Sequence, residues 1–251
     1  MKKFLPATVC AAIIVLWEVY VRLTHMPSYV LPSPSNVILA LITDGITLAG
    51  HAWVTVGEAV SGMLIALACA LALGIMMDAF PTFRQCVYPI LVVTQTVPMV
   101  VLAPILIIYL GFGLAPKILT VVLMCFFPVA VSFADGMRGM DSAYAQLARS
   151  YGASRLQTYS LVKIPYALPS LISGLKVAAT YSISGAVVGE WIGSQKGLGY
   201  YLLRVKNSYA LDKMFACVLL IVALSILMNG AILLAGRYAM PYIKRKKVVV
   251  P

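Results

Sequence analysis

Few residues in this chain could do chemistry, and their spacing limits what they can do. Among 251 residues there are eight acidic side chains, two histidines and five cysteines. Cys10, Cys69, Cys86, Cys125 and Cys217 lie far apart with no C-x-x-C, and His25 and His51 have no partner at ligand spacing. The cysteines therefore read as small apolar residues, and no metal site is expected. No paired His, Asp or Glu motif occurs, and the serines of the apolar runs lack a nearby base, so no catalytic residue is expected. The pattern G-x-x-x-x-G-K-[ST] is absent, which excludes ATP binding through a P-loop. One carboxylate stands out. Glu190 lies in an apolar run beside Gly185, Gly189 and Gly193, and an ionisable residue inside a membrane span usually faces a bundle interior or a wet cavity. Together with Tyr181, Ser182 and Ser184 it is a candidate lining for a solute path. Gln95 and Thr96 form a second candidate set. They sit in a run interrupted by Pro89, Pro98 and Pro104, whose missing N–H groups kink a helix and free carbonyls for other partners.

The elements that hold these residues follow from composition. With 62% hydrophobic and 11% charged residues, the chain is far from a soluble domain, which is about 25% charged. An all-α polytopic membrane protein is the fold class this implies. Apolar runs of about 20 residues, the length that crosses the hydrocarbon, fall near Phe4–Val21, Glu58–Met77, Val87–Leu110, Pro116–Ala134, Leu171–Gly193 and Met214–Gly236, making six spans. Trp17, Tyr20 and Arg22 look like an interfacial anchor, so the first run is read as a retained helix and not as a cleaved signal. The glycines Gly185, Gly189 and Gly193 form a stripe for close helix packing.

The net charge of +11 raises the question of nucleic acid, but the basic residues sit in short stretches between apolar runs. They read as topology signals. With the N-terminus inside, Lys2, Lys3, Arg84, Arg138, Arg149, Arg155, Lys163, Lys176, Arg237, Lys244, Arg245, Lys246 and Lys247 collect on the cytoplasmic side, 13 of the 19 basic residues. Arg22, Lys117, Lys196, Arg204, Lys206 and Lys213 fall on the other. Both termini are then cytoplasmic, and the last basic cluster also meets anionic lipid. Residues 1–57 comprise the first span and an outer loop, 58–236 a five-helix core, and 237–251 a basic tail.

Two connections are long. In the outer one, Leu31-Pro32-Ser33-Pro34-Ser35 precedes an interfacial helix carrying Val37, Ile38, Leu41, Ile42, Ile46 and Leu48, with Ser35 as its expected cap. The other, over 135–170, is cytoplasmic. Tyr144, Leu147, Ala148 and Tyr151 recur at helical spacing, Gly152 ends that helix, and a second runs from Ser154 to Lys163 until Pro165 and Pro169 stop it. This loop could dock a partner's groove or simply join two spans.

The segment Gln146-Leu147-Ala148-Arg149-Ser150-Tyr151-Gly152, nine residues, then Val162-Lys163-Ile164-Pro165 resembles the E-A-A-x3-G-x9-I-x-L-P motif of permease subunits of binding-protein-dependent ATP-binding-cassette (ABC) importers. Gln146 replaces the glutamate and Leu147 the first alanine, while Gly152 and Pro165 are kept. Thr96-Val97-Pro98, Gly111-Phe112-Gly113, Pro116-Lys117-Ile118, Phe126-Phe127-Pro128 and Gly197-Leu198-Gly199-Tyr200 are similar to the nitrate, sulfonate and taurine branch of these permeases. The run from Ser173 to Ser182 with Gly189-Glu190-Trp191 looks closest to a subgroup linked to thiamine pyrimidine precursors.

The resemblance implies a type I ABC importer permease of the inner (cytoplasmic) membrane. It implies a homodimer with two ATPase subunits that bind ATP and magnesium, an external solute-binding protein, and no cofactor in this chain. It also assigns ATPase coupling to Tyr144, Gln146, Leu147, Ala148, Arg149, Gly152, Ala153, Arg155 and Pro165. The alternatives weighed against it are a stand-alone secondary transporter or channel, which needs coupling acids or matched repeats, and a membrane-embedded enzyme, which needs a nucleophile or metal set.

Overall fold

The computed structural model describes residues 5–240, and these form a helical bundle in the order α1 (Leu5–Leu23), α2 (Pro34–Thr43), α3 (Gly45–Ala79), α4 (Pro81–Thr94), α5 (Met99–Leu110), α6 (Leu114–Arg138), α7 (Ser142–Ser150), α8 (Arg155–Thr158), a π-helical turn (Tyr159–Lys163), α9 (Ile164–Glu190), α10 (Leu198–Asn207) and α11 (Leu211–Ala239). Among the described residues, α3, α6, the run Arg155–Glu190 and α11 are each long and apolar enough to cross a membrane, and α4 with α5 makes a fifth if counted as one broken span. The expected tail cluster Lys244, Arg245, Lys246 and Lys247, and Lys2 and Lys3, lie outside the described residues.

Small side chains set the centre of the bundle. Along α3, Gly62, Ala66, Ala70 and Gly74 repeat every fourth residue, and a Cβ on Gly62 or Gly74 would sit 2.5 Å from Val121 or 2.6 Å from Phe133 of α6. On α9, Gly174, Gly185 and Gly189 do the same against Pro128, Met124 and Lys117 of α6, while Gly136 of α6 makes room for Ser170. Without strong hydrophobic drive inside lipid, such close backbone approach is what holds spans together. Val121, Cys125, Val129 and Phe133 of α6 are fully buried between Ala59, Ala66 and Ala70 of α3 and Ala178, Ala179, Ile183 and Ala186 of α9. Helix α1 is mostly exposed; Trp17 meets Phe215 of α11, and Glu18 accepts hydrogen bonds from Ser35.

Several expected boundaries are corrected. The second span begins at Gly45, not Glu58, so Ile46 and Leu48 belong to α3 and the short helix α2 ends at Thr43. Its cap is Ser33, whose hydroxyl accepts from the Asn36 N–H, while Ser35 is drawn to Glu18. The third span is not a single kinked helix: α4 and α5 meet at 102°, because Pro98 cannot donate and bars helix at Val97. Conversely, Pro165 and Pro169 do not stop the helix before the fifth span. The chain stays helical from Arg155 to Glu190, and the turn ahead of Pro165 widens to a π-turn in which Ile164 N–H reaches Tyr159 O. Helix α9 ends at Glu190, so Gly193 falls in the next loop with φ +71° and leaves the glycine stripe, while Gly174 joins it. Of the basic residues counted to orient the spans, Lys117 is buried in α6 and Lys176 lies midway along α9.

Candidate functional site

The loop over 142–163 is a pre-shaped unit. Asp141 caps α7 through the Ala143 N–H, and α7 ends with Ala153 N–H bonded to Ala148 O and Gly152 N–H bonded to Arg149 O. That paired closure requires a left-handed residue, and Gly152, at φ +81°, supplies it. Ser154 and Gln157 then cap α8 reciprocally, hydroxyl to N–H and amide oxygen to N–H. Ala145, Ala148, Ala153 and Thr158 turn inward, whereas Tyr144, Leu147, Tyr151, Leu156 and Leu161 point out, Tyr151 at 85% and Leu156 at 79% exposure. Gln146, Arg149 and Arg155 are exposed around this apolar face, and Pro165 is half-buried at the start of α9. The loop is fastened to the bundle at two places. Tyr159 Oη and Lys163 Nζ both donate to Asp78 at the end of α3, at 2.7 and 2.5 Å, and Tyr166 Oη donates to Gly139 O.

A second feature is the break between α4 and α5. A cavity of about 510 Å³ opens there, lined by Thr94, Gln95, Pro98, Met124, Phe126, Phe127 and Tyr181 among others. The structure thus brings Gln95 and Tyr181 to one wall, although they stand on different spans. Thr96 is exposed beside them, its hydroxyl returned to Val93 O. Ser184 lines a neighbouring groove between α9 and α11 with Thr180, Ser225 and Asn229. Ser182 is fully buried and donates to Ala179 O.

Glu190 lies elsewhere. It is 1% exposed, accepts from Thr55 Oγ1 at 2.7 Å through one oxygen and from Gly199 N–H at 2.6 Å through the other. Thr55 in turn accepts from Leu198 N–H, and His51 Nδ1 from Gly197 N–H. Gly197 has φ +109°, and a side chain there would collide with the Glu190 carboxyl. One helical turn from Thr55, Glu58 is 3% exposed and pairs with Lys117 Nζ at 2.9 Å; Lys117 also donates to Ser194 at 2.8 Å. Glu58 and Glu190 lie close enough to interact, and Glu58 Oε2 has no donor. The expectation that Glu190 is the one deep acid is corrected. In sequence, Glu58 opens one span and Lys117 stands at the start of another, counted only as an outer charge, so nothing pairs them; the available signal is two opposite charges at the same end of two spans. Beside this network, Tyr201 Oη and Lys213 Nζ bind Asp44 at 2.6 and 3.0 Å, and these contacts hold its carboxyl below the ordinary aspartate range.

These parts make a membrane bundle with a capped loop bearing an exposed apolar face at one end, a broken span flanking a cavity, and a charged lock at the other end. Residues 62–237 match the family described as binding-protein-dependent transport system inner membrane component. The chain belongs to this family. A probable ABC transporter permease of Haemophilus influenzae is 34% identical over 221 residues, covering 88% of this chain and 90% of that protein. The formylaminopyrimidine transport permease of Halalkalibacterium halodurans is 30% identical and covers 96% of both chains. A putative aliphatic sulfonates permease of Bacillus subtilis is 30% identical over 90% of this chain and 83% of its own length. Among solved structures, the inward-facing methionine ABC transporter MetNI superposes with a TM-score of 0.68 at 19% identity, over 76% of this chain and 95% of that one, which places the fold. The chain is thus an inner-membrane permease of an ABC importer, the translocating subunit, with ATP hydrolysis in a separate subunit.

Proposed function

We propose that two copies of this permease, each with α1 as a sixth span and both termini cytoplasmic, surround one path for a small solute delivered by an external binding protein. Two ATPase subunits that bind ATP and magnesium engage the 142–163 loops. The carrying observation is the exposed apolar face Leu147, Tyr151, Leu156 and Leu161 on a loop capped at every helix end. A face this apolar at the end of a bundle marks a partner's seat, and Tyr144, Gln146, Ala148, Arg149, Gly152, Ala153, Arg155 and Pro165 shape or surround it. The exposed side of α9 supplies the wall of the path. It carries Ser173, Thr180, Tyr181 and Ser184, about one polar residue per turn, where lipid would exact a penalty for each. Gln95 and Thr96 at the helix break extend the wall. Glu190 takes no direct part in it; it fastens the α9–α10 loop to α3.

The solute is a small neutral heterocycle of the thiamine-precursor pyrimidine type rather than a sulfonate, taurine or nitrate anion. Phe126, Phe127 and Tyr181 offer aromatic faces, Gln95 and Thr94 offer hydrogen bonds, and no acidic or basic side chain lines the cavity at the break. The test is purification of the tagged permease in mild detergent, followed by uptake of formylaminopyrimidine and taurine by proteoliposomes holding permease, ATPase and binding protein. An ATPase subunit in the purified complex and ATP-dependent uptake of the pyrimidine are expected. Reproducible absence of the ATPase overturns the importer reading, and uptake of taurine alone overturns the solute.

A further inference from the structure

We infer that Asp78 is a positioning residue that ties the ATPase-docking loop to α3, making α3 a second mechanical link between the docking loop and the lock at the far end. The inference rests on the importer reading above. Chain connectivity already joins the loop to α9, because Arg155–Glu190 is one helical run. Along the chain α3 is remote from it: α3 ends at Ala79, 63 residues before Ser142, with α4, α5 and α6 between.

 The link is made by side chains. Asp78 Oδ2 receives both the Tyr159 hydroxyl and the Lys163 ammonium, and the ammonium also lies 4.8 Å from the centre of the Tyr159 ring. All three side chains are at least half withdrawn from solvent, with the Asp78 carboxylate 8% exposed. Both donors come from the π-turn, and at four residues apart they share one side of the helix.

Nearer its start, α3 is fastened again. Thr55 bonds Glu190 and the Leu198 N–H, and Glu58 pairs with Lys117, so one helix carries two clasps about 30 Å apart. Between the clasps α3 contains no proline, and its stripe Gly62, Ala66, Ala70 and Gly74 lies close against α6. A continuous, closely packed helical segment held at two points transmits displacement instead of absorbing it. Motion of the docking loop therefore reaches the α9–α10 loop by two routes, through α9 directly and through Asp78 and α3.

The test compares Asp78→Asn, Lys163→Gln, Tyr159→Phe and the charge swap Asp78→Lys with Lys163→Asp, each in the complete transporter in proteoliposomes. The reading is solute moved per ATP hydrolysed, a ratio that a loss of folded protein alone does not change. Asp78→Asn and Lys163→Gln are expected to lower the ratio about tenfold. Tyr159→Phe is expected to lower it less, and the swap to return it toward the parent value. An unchanged ratio in Asp78→Asn and Lys163→Gln overturns the inference. So does release of the ATPase from these variants, since the clasp would then only shape the docking surface. If the parent complex itself lacks an ATPase, it is the importer reading that fails.

Discussion

Removing the ammonium of Lys117 is the sharpest perturbation of the lock. Lys117→Met leaves Glu58 buried at 3% exposure, with one carboxylate oxygen already lacking a donor and the Glu190 carboxylate beside it. Breaking one side of a buried ion pair costs about 3–5 kcal/mol, because a charge is left behind without compensation. At about 2–4 °C per kcal/mol for a chain of this size, the melting temperature falls by about 6–20 °C. Glu58→Gln with Lys117→Met removes both charges at once, and replacing a buried pair by neutral groups is often neutral or stabilising. The double variant is therefore expected to melt close to the parent and above Lys117→Met. Thermal unfolding in mild detergent, followed by tryptophan fluorescence at fixed protein concentration, reads the parent, Lys117→Met, Glu58→Gln and the double variant. If the two single substitutions simply add, the pair is not coupled and the lock has been misread.

Other consequences can be measured alongside. Gly174→Ala places a Cβ 2.6 Å from Pro128 O, where backbone cannot yield, and should cost about 1–3 kcal/mol in the same melting assay. Gly230→Ala meets nothing within 4 Å and should be neutral or slightly stabilising. Gly152→Ala, forced to hold φ +81°, should cost about 1 kcal/mol and speed hydrogen exchange at the Ala153 amide, which closes α7. The contacts of Asp44 lower its folded value, so their stabilisation is complete above the ordinary value of 3.8 and is lost as pH falls through the lower folded one. Asp44→Asn should therefore flatten the acid limb of a stability profile, and an unaltered limb would show that the contact does not matter.

What could be read in the chain depended on whether the signal was local. Gly152 and Ser154 announced the α7–α8 break because caps are made by neighbours a few residues apart. The importer motif was readable for the same reason. Helix boundaries were harder where tertiary packing overrode a breaker. Pro165 and Pro169 look terminal in sequence, yet the π-turn and the packing of α9 on α6 carry the helix through. Glu58, Lys117, Asp78 and Tyr159 escaped notice because their partners are 59 to 85 residues away, on other elements. Glu190 was noticed for its rarity within an apolar run, but its partners Thr55 and Gly199 could be supplied only by the fold.

The sharp bend at Pro98 also bears on how the chain matures. Between Thr94 and Met99 the helical ladder is interrupted, next to a cavity of about 510 Å³. Peptide groups released at membrane depth are tolerated against protein or water but not against acyl chains. A newly inserted copy thus carries an unfinished surface that lipid solvates poorly, and it is completed only when something else closes over it. Cellular levels of the protein should then follow the supply of its assembly partners more closely than its own rate of synthesis, with orphan copies removed by membrane proteolysis.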